Sequence, residues 1–287
     1  GEAAVLLAIK KCFASLYTNR AIKYREDNGF EHEKVALSVG IQKMVRSDKA
    51  CSGVAFTLEP ESGFRDVIHI SGVWGLGENI VQGTVTPDEF FIFKPTLKQH
   101  KKAIIQRKLG EKAKTMIYAS AGETGGSIIN MDTPGDKRDQ FVLSDEEVTQ
   151  LAEWFLVIEE HYQKPMDIEW AKDGLTNELF ILQARPETVH SQQNPYKIKE
   201  YSLKEKGTSL TQGNAVGTKI ATGNARILQS PKEGDLLKEG EIVVTDMTSP
   251  DWDPVLKRSA AIVTNKGGRT SHASIVAREL GVPAIVG

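Results

Sequence analysis

Apolar residues recur along the chain with two different spacings, and each spacing predicts a different kind of element. A helical spacing runs through residues 3–16 and again from Val148 to Ile158. Ser144 precedes the second stretch and Glu147 follows three residues later, which is the spacing of a capping box at a helix start. Alternating or β-branched runs predict strands at residues 35–45, 52–58, 67–74 and 89–94.

The second half of the chain has a different pattern. Residues 119–138 are polar and predict a long surface loop, and residues 188–206 are polar with little apolar content, which favours a linker. Beyond the linker, short apolar runs predict strands near residues 225–228, 241–245, 260–264 and 283–286. Helices are predicted over residues 250–258 and 271–280.

Composition excludes several classes of protein. The chain has 287 residues, which suits about two domains, and its formal net charge of −2 argues against bulk nucleic-acid binding. No apolar run approaches the roughly 18 residues that span a bilayer, so no membrane segment is expected. The two cysteines have no metal-like spacing, and a reducing cytoplasm is the expected location.

Residues 166–185 have the pattern of a β-hairpin, in which side chains alternate between two faces. Asp167 and Glu169 share one face of the first strand, and Gln183 and Arg185 share one face of the second. The opposite face of the second strand is expected to hold Phe180, Leu182 and Ala184.

If the hairpin ends pair, two carboxylates, an amide oxygen and a guanidinium project together. Carboxylate and amide oxygens suit Mg²⁺, and the planar fork of an arginine suits a phosphate. The pattern therefore indicates a metal and phosphate surface. A solvated hairpin face with a weak surface ion pair has the same pattern.

A glycine loop precedes the last predicted helix. A β-branched strand near residues 260–264 runs into Gly267 and Gly268, and Thr270 or Ser271 then caps the helix. This order of strand, glycine loop and helix start is a common arrangement for binding anions.

His272 falls in the first turn of that helix, where free backbone N–H groups and the positive end of the helix dipole favour negative charge. Arg269 adds a positive charge that suits a phosphate. A neutral imidazole at this place is a good nucleophile toward phosphorus. An ordinary surface histidine near a helix start has the same local sequence.

Five segments of the chain resemble one enzyme family. Residues 267–287 (GGRTSHASIVARELGVPAIVG) are similar to the phosphohistidine signature of the enzymes that make or use phosphoenolpyruvate, and residues 166–188 resemble the last hairpin of their ATP-grasp nucleotide domain. Other similar segments are 52–57 (SGVAFT), 74–83 (WGLGENIVQG) and 245–254 (TDMTSPDWDP). By these motifs the chain is identified as a member of the phosphoenolpyruvate-utilising family, in its pyruvate, water dikinase group.

The resemblance implies a multidomain α+β and α/β fold. Residues 1–190 would form a partial ATP-grasp domain, residues 191–206 a hinge linker, and residues 207–287 a swivelling phosphohistidine domain of β/β/α type. The family's N-terminal part and its C-terminal acceptor barrel are not in the sequence. The chain is therefore expected to be a central fragment, truncated within the second domain and inactive alone.

The resemblance also implies a phosphotransferase. In the family, ATP phosphorylates a carrier histidine, and the phosphoryl group then passes to pyruvate, giving phosphoenolpyruvate, AMP and phosphate. By the motif match His272 is the carrier, and Glu169 and Gln183 hold Mg²⁺. Phosphate and nucleotide contacts are implied for Arg185, Asp167 and Glu78.

Thr270 occupies the place that a regulatory kinase–phosphorylase modifies in bacterial members of the family. A phosphate there would repel a phosphate that approaches His272. A homodimer of the full enzyme is a further expectation. Two other functions stay open: the same machinery with another acceptor, as in rifamycin phosphotransferase, or a non-catalytic phosphocarrier module.

Overall fold

The computed structural model describes residues 1–27, 29–119, 128–187, 201–205, 207–269 and 271–287. These residues form two compact units, 1–44 and 45–287. The first unit contains helices α1 (Glu2–Ala14) and α2 (Asn19–Asp27), with short 3-10 helices at Ser15–Tyr17 and His32–Lys34.

Residues 35–45 do not form the predicted strand. They have no regular structure, and Leu37, Ile41 and Met44 are exposed. A strand needs a neighbour that accepts its backbone hydrogen bonds, and no strand pairs with this segment in the described part of the chain. Alternation alone therefore misassigned these residues.

The larger unit contains most of the regular structure. Its helices are α3 (Glu78–Val81), α4 (Lys94–Leu97), α5 (Gly135–Arg138), α6 (Asp145–Tyr162), α7 (Asp253–Leu256) and α8 (His272–Leu280). Its first eight strands are β1 (Cys51–Phe56), β2 (Val67–Trp74), β3 (Asp88–Phe93), β4 (Ile104–Lys108), β5 (Lys114–Tyr118), β6 (Ile128–Asp132), β7 (Met166–Lys172) and β8 (Leu179–Pro186). The last five are β9 (Asn214–Val216), β10 (Ala225–Ile227), β11 (Ile242–Thr245), β12 (Ala261–Thr264) and β13 (Ala284–Val286). Short 3-10 helices lie at Ser47–Lys49, Pro231–Leu236 and Pro250–Trp252.

Six strands form an antiparallel sheet in the order β4-β3-β2-β1-β7-β8. Helix α6 packs on one face of this sheet and buries Val148, Leu151 and Phe155 in its core. The predicted capping box is present, because Ser144 Oγ accepts from Glu147 N and the Glu147 carboxylate accepts from Ser144 N. Burial of the apolar stripe of α6 is the main force that holds this layer on the sheet.

The other face of the six-stranded sheet is more polar. In the strand register, Glu89 on β3 lies beside Ser71, then Val54, then Glu169 on β7, and finally Gln183 on β8. Side chains at directly paired positions point to the same face of a sheet. The polar end of the predicted hairpin thus continues into a row that crosses the sheet.

Five strands form a second sheet in the order β10-β11-β12-β13-β9, in which all pairs are parallel except β13 with β9. Helix α8 buries Ala273, Val276 and Ala277 in a core shared with β11, β12 and β13. These sheets, together with the helices that pack on them, give the mixed α and β fold that the resemblance implied.

The predicted surface loop over residues 119–138 is wrong in part. Strand β6 and helix α5 both lie within this range, and β6 pairs with β5, which lies just before it. Residues 120–127 lie outside the described residues, as do residues 188–200 and 206 of the predicted linker. Among the helices that the structure describes, none combines the length and apolar character needed to cross a membrane.

Candidate functional site

The β7–β8 hairpin brings its four predicted polar residues together. Glu169 lies opposite Gln183 and Asp167 opposite Arg185, with a register shift just after Glu169. This bulge puts one extra residue into β8 and changes which side chains face the core. Phe180, expected on the buried face, is 38% exposed, whereas Ile181 and Ala184 pack against the core.

Asp167 and Arg185 form an ion pair at the open end of the hairpin. Arg185 Nε and Nη2 lie 2.9 and 2.7 Å from the same oxygen, Asp167 Oδ2. Burial raises the pKa of Asp167, although the charge of Arg185 opposes this. The Arg185 side chain is 60% exposed, so its remaining N–H groups can reach another anion.

Glu169 is the second carboxylate of this surface. Desolvation and then the negative charge of Asp167 raise its pKa, and Arg185 only partly offsets them. Because the charge of Asp167 raises the proton affinity of Glu169, a cation beside the Glu169 carboxylate would be favoured. Glu169 and Gln183 supply hard oxygen donors of the kind that Mg²⁺ prefers, so the residues present fit this ion.

One carboxylate and one amide leave most of the coordination sphere of Mg²⁺ to water and phosphate oxygens, which is usual for this ion with nucleotides. No group of three or more His, Cys, Asp or Glu residues is arranged for a metal within the described ranges. The hairpin surface therefore suits a metal that arrives with a phosphate ligand.

Local sequence fixes the start of α8. Gly267 has φ +111°, and a Cβ there would lie 2.9 Å from Ser271 Oγ, so this turn requires glycine. Ser274 Oγ donates to Gly268 O at 2.7 Å and ties the first turn to the loop. Gly281 ends the helix with φ +65°. Ser271 occupies the N-cap position, although its side chain makes no capping hydrogen bond, and His272 lies in the first turn of α8, as the sequence predicted.

Both ring nitrogens of His272 have partners: Thr248 in the segment after β11, and Asp253 at the start of α7. Nδ1 lies 2.9 Å from Thr248 Oγ1, and Nε2 lies 3.0 Å from Asp253 Oδ1. The His272 side chain is 11% exposed, so it is held at a largely covered position. Neither Thr248 nor Asp253 was predicted, although the segment TDMTSPDWDP that contains both was singled out by resemblance.

Arg269 does not reach the β7–β8 hairpin. Its Nη1 lies 3.2 Å from Glu59 Oε1, on the turn between β1 and β2. Arg278 of α8 forms a buried ion pair with Glu61 of the same turn, and the Glu61 carboxylate also accepts from Gly217 N at 2.6 Å. These contacts join the six-stranded sheet to the helix that begins at His272.

The loop after α3 also lies against the glycine loop. A Cβ at Gly83 would lie 2.6 Å from Ser271 Cβ, and a Cβ at Gly268 would lie 2.8 Å from Pro87 Cδ. Glu78, at the start of α3, is exposed, and its Oε1 accepts from Gln82 Nε2 at 2.6 Å. Thr270 lies outside the described residues.

Electrostatic effects connect the hairpin with α8. Desolvation and the charge of Asp253 raise the pKa of Glu279, while Arg185 and His272 oppose the rise. Burial lowers the pKa of Arg185, but nearby carboxylates raise it overall. Asp167 makes the largest of these contributions, and Glu279 adds a smaller one. One carboxylate thus responds both to the hairpin guanidinium and to the histidine at the start of α8.

Two protein-family models match the chain. Residues 1–206 match "Pyruvate phosphate dikinase, AMP/ATP-binding domain", which covers more than half of the sequence. The chain belongs to this family. Residues 237–287, which include His272, match "PEP-utilising enzyme, mobile domain". The AMP/ATP-binding domain family therefore occurs here together with a second, phosphoenolpyruvate-related domain.

Several curated proteins are similar to this chain over its whole length. Phosphoenolpyruvate synthase of Aquifex aeolicus is 56% identical over 298 residues, which cover 100% of this chain and 34% of that protein. The Escherichia coli protein of the same name is 50% identical and is covered to 36% of its length, and a probable phosphoenolpyruvate synthase of Archaeoglobus fulgidus is 44% identical. The chain thus spans about a third of the length of these relatives.

Proposed function

We propose that this chain is the nucleotide-binding and phosphocarrier part of a phosphoenolpyruvate synthase. The observation that carries the proposal is His272, at the start of α8 in the segment matching the mobile domain, in the same chain as the AMP/ATP-binding domain. The names of the relatives support the same activity. ATP would phosphorylate His272, and transfer to pyruvate would give phosphoenolpyruvate, AMP and phosphate.

Each predicted site residue has a role in this reaction. Glu169 and Gln183 would hold Mg²⁺, which supplies charge neutralisation for the phosphates when it is bound. Arg185, oriented by Asp167, would donate to a phosphate oxygen, and its planar fork suits that task. Arg269 and Glu78 are proposed nucleotide or phosphate contacts, and Arg269 would have to leave Glu59 for this role.

The domain arrangement is part of the same proposal. Residues 1–190 would be a partial ATP-grasp domain and residues 207–287 a swivelling domain, with residues 191–206 as the hinge. A carrier must visit a nucleotide and an acceptor in turn, which is why a hinge is needed. The full enzyme would work in the cytoplasm, as a homodimer, with Thr270 as the target of a regulatory kinase–phosphorylase.

The acceptor is tested by a pulse and chase with the protein at its full natural length. ATP labelled at the β-phosphate is added first. AMP keeps only the α-phosphorus, so the labelled β-phosphorus is the one that is transferred to the protein. Acid-labile, base-stable label on the protein that leaves as phosphoenolpyruvate on addition of pyruvate is the expected result. Label that pyruvate does not remove would overturn the proposed acceptor and favour the rifamycin-type or carrier-only alternative.

A metal-site prediction follows from the hairpin. Glu169→Gln removes one charged oxygen ligand, and we expect the affinity for Mg²⁺-ATP to fall on the order of tenfold or more. Affinity for ATP without Mg²⁺ should change little. Isothermal titration with and without Mg²⁺ separates the two effects.

Glu178→Gln is the matched control, since Glu178 is exposed in the turn of the same hairpin. This variant should bind Mg²⁺-ATP like the unmodified chain. Equal losses in both variants, or a loss that does not depend on Mg²⁺, would contradict a metal role for Glu169.

A further inference from the structure

The ring of His272 is held at both nitrogens by partners of different chemistry. Thr248 Oγ1 lies 2.9 Å from Nδ1 and Asp253 Oδ1 lies 3.0 Å from Nε2. An ionised carboxylate can only accept a hydrogen bond, so Nε2 carries the proton in this arrangement. A hydroxyl can donate or accept, so Thr248 satisfies Nδ1 in either protonation state.

This arrangement covers the nitrogens of a residue that is proposed to attack phosphorus. The carboxylate of Asp253 stands where the lone pair of an unprotonated Nε2 would point. A phosphorus atom that approached Nε2 would have to occupy the same place. An anionic donor would also be repelled by a carboxylate at this distance.

The two partners differ in their freedom to move away. Thr248 is 3% exposed, whereas the Asp253 side chain is 41% exposed. Among the described residues, the Asp253 carboxylate forms a hydrogen bond with His272 alone. Rotation of Asp253 toward solvent is therefore the less costly way to uncover a nitrogen, and the nitrogen it uncovers is Nε2.

We propose that Asp253 is a positioning residue that switches His272 between two tautomers, a role that rests on the proposed function of His272 as the carrier. With Asp253 in contact, the ring is the Nε2–H tautomer and Thr248 donates to Nδ1. With Asp253 turned away, the ring is the Nδ1–H tautomer, Nδ1 donates to Thr248 Oγ1, and Nε2 has a free lone pair. The Nε2 proton passes to solvent and Nδ1 takes one from solvent, so the ring stays neutral.

The phosphoryl step then balances on the second tautomer. The Nε2 lone pair forms a bond to phosphorus, and the bond from phosphorus to its leaving oxygen breaks with the electron pair on that oxygen. The ring keeps its Nδ1 proton and becomes positively charged, and this N–H still donates a hydrogen bond to Thr248 Oγ1. The reverse transfer restores the lone pair on Nε2, and Asp253 can return.

Nitrogen NMR of the histidine-labelled chain tests the switch without ATP. In the unmodified chain the ¹⁵N shifts of His272 should report a protonated Nε2 and an unprotonated Nδ1. In Asp253→Ala the ratio of Nε2–H to Nδ1–H tautomer should fall about tenfold or more, the size of one lost hydrogen bond to a charged group. Asp253→Asn keeps the side-chain volume and removes the charge, and its ratio should fall as well.

Asp251→Ala is the control, because Asp251 is exposed in the same segment and has no contact with His272 among those described. It should keep the tautomer ratio of the unmodified chain. An unmodified chain with Nδ1–H as the main tautomer, or an Asp253→Ala variant with an unchanged ratio, would overturn the proposal.

Chemical reactivity gives a second readout. Diethyl pyrocarbonate acylates an imidazole nitrogen with a free lone pair, so acylation of His272 should be roughly three- to tenfold faster in Asp253→Ala than in Asp251→Ala. Equal rates would contradict the switch. Neither measurement uses nucleotide, so a positive result here with no label from ATP would refute the proposed function alone.

Discussion

Replacing His272 by alanine is expected to abolish ATP-dependent phosphorylation of the protein, with a loss on the order of 10³-fold or more. The imidazole is the proposed nucleophile, and no substitute for it occupies the start of α8 once it is removed. Incorporation of β-labelled phosphate into acid-labile, base-stable linkage measures the effect. Nucleotide affinity should change less than threefold, because the β7–β8 hairpin is intact.

The matched control is His161→Ala, because His161 is exposed near the end of α6, where its ring lies edge-on to that of Tyr162. This variant should incorporate label at the unmodified rate. Label that persists in His272→Ala would place the carrier at another residue, and loss of label in both variants would indicate damage to the fold.

The second large effect concerns stability. Lys112 and Asp88 form an ion pair in which both side chains are 0% exposed, and the Asp88 carboxylate also accepts from Gly110 N at 2.8 Å and Val142 N at 2.9 Å. Burial raises the pKa of Asp88, against the opposing effect of Lys112. Lys112→Met leaves this carboxylate buried without its cation, and we expect a loss of about 3–5 kcal/mol in the free energy of unfolding.

Urea denaturation followed by circular dichroism measures this loss as a lower midpoint. Lys114→Met serves as the comparison, because Lys114 pairs with Asp132 on the surface, where the side chains are 46% and 87% exposed. An exposed pair contributes about 0–1 kcal/mol, so this variant should unfold near the unmodified midpoint. Equal midpoints for the two variants would show that the Asp88–Lys112 pair does not stabilise the fold.

The sequence predicted elements well where local chemistry alone decides them. The capping box of Ser144 and Glu147 begins α6, and Gly281 ends α8. The shared faces of Asp167 with Glu169 and of Gln183 with Arg185 also follow from alternation, because both pairs lie on the same side of the bulge. The place of His272 in the first turn of α8 follows from the glycine loop and the polar residues before it.

Features that depend on distant partners could not be read from the pattern. The bulge in β8 reversed the expected orientation of Phe180, since one inserted residue changes the face of side chains on one side of it relative to those on the other. Residues 35–45 alternate like a strand and have no neighbour to pair with. The pairing of Arg269 with Glu59 joins residues 210 positions apart, and no local signal marks it.

Thr248 and Asp253 show the same limit at the site itself. They lie 24 and 19 positions before His272, in a segment without periodicity, and only the three-dimensional packing of α7 against α8 brings them to the ring. Resemblance had marked the segment but not the residues in it. A candidate carrier residue can therefore be found from sequence more readily than the groups that contact its ring.

Mapping the phosphate after brief exposure to ATP and Mg²⁺ tests directly whether His272 is the carrier. Peptides are prepared at alkaline pH, where phosphohistidine survives, and each of the six histidines is assigned by tandem mass spectrometry. We expect phosphate on His272 that depends on ATP and is absent without it. Phosphate on another residue, or an unmodified His272 in a protein that cleaves ATP to AMP, would show that His272 is not the carrier.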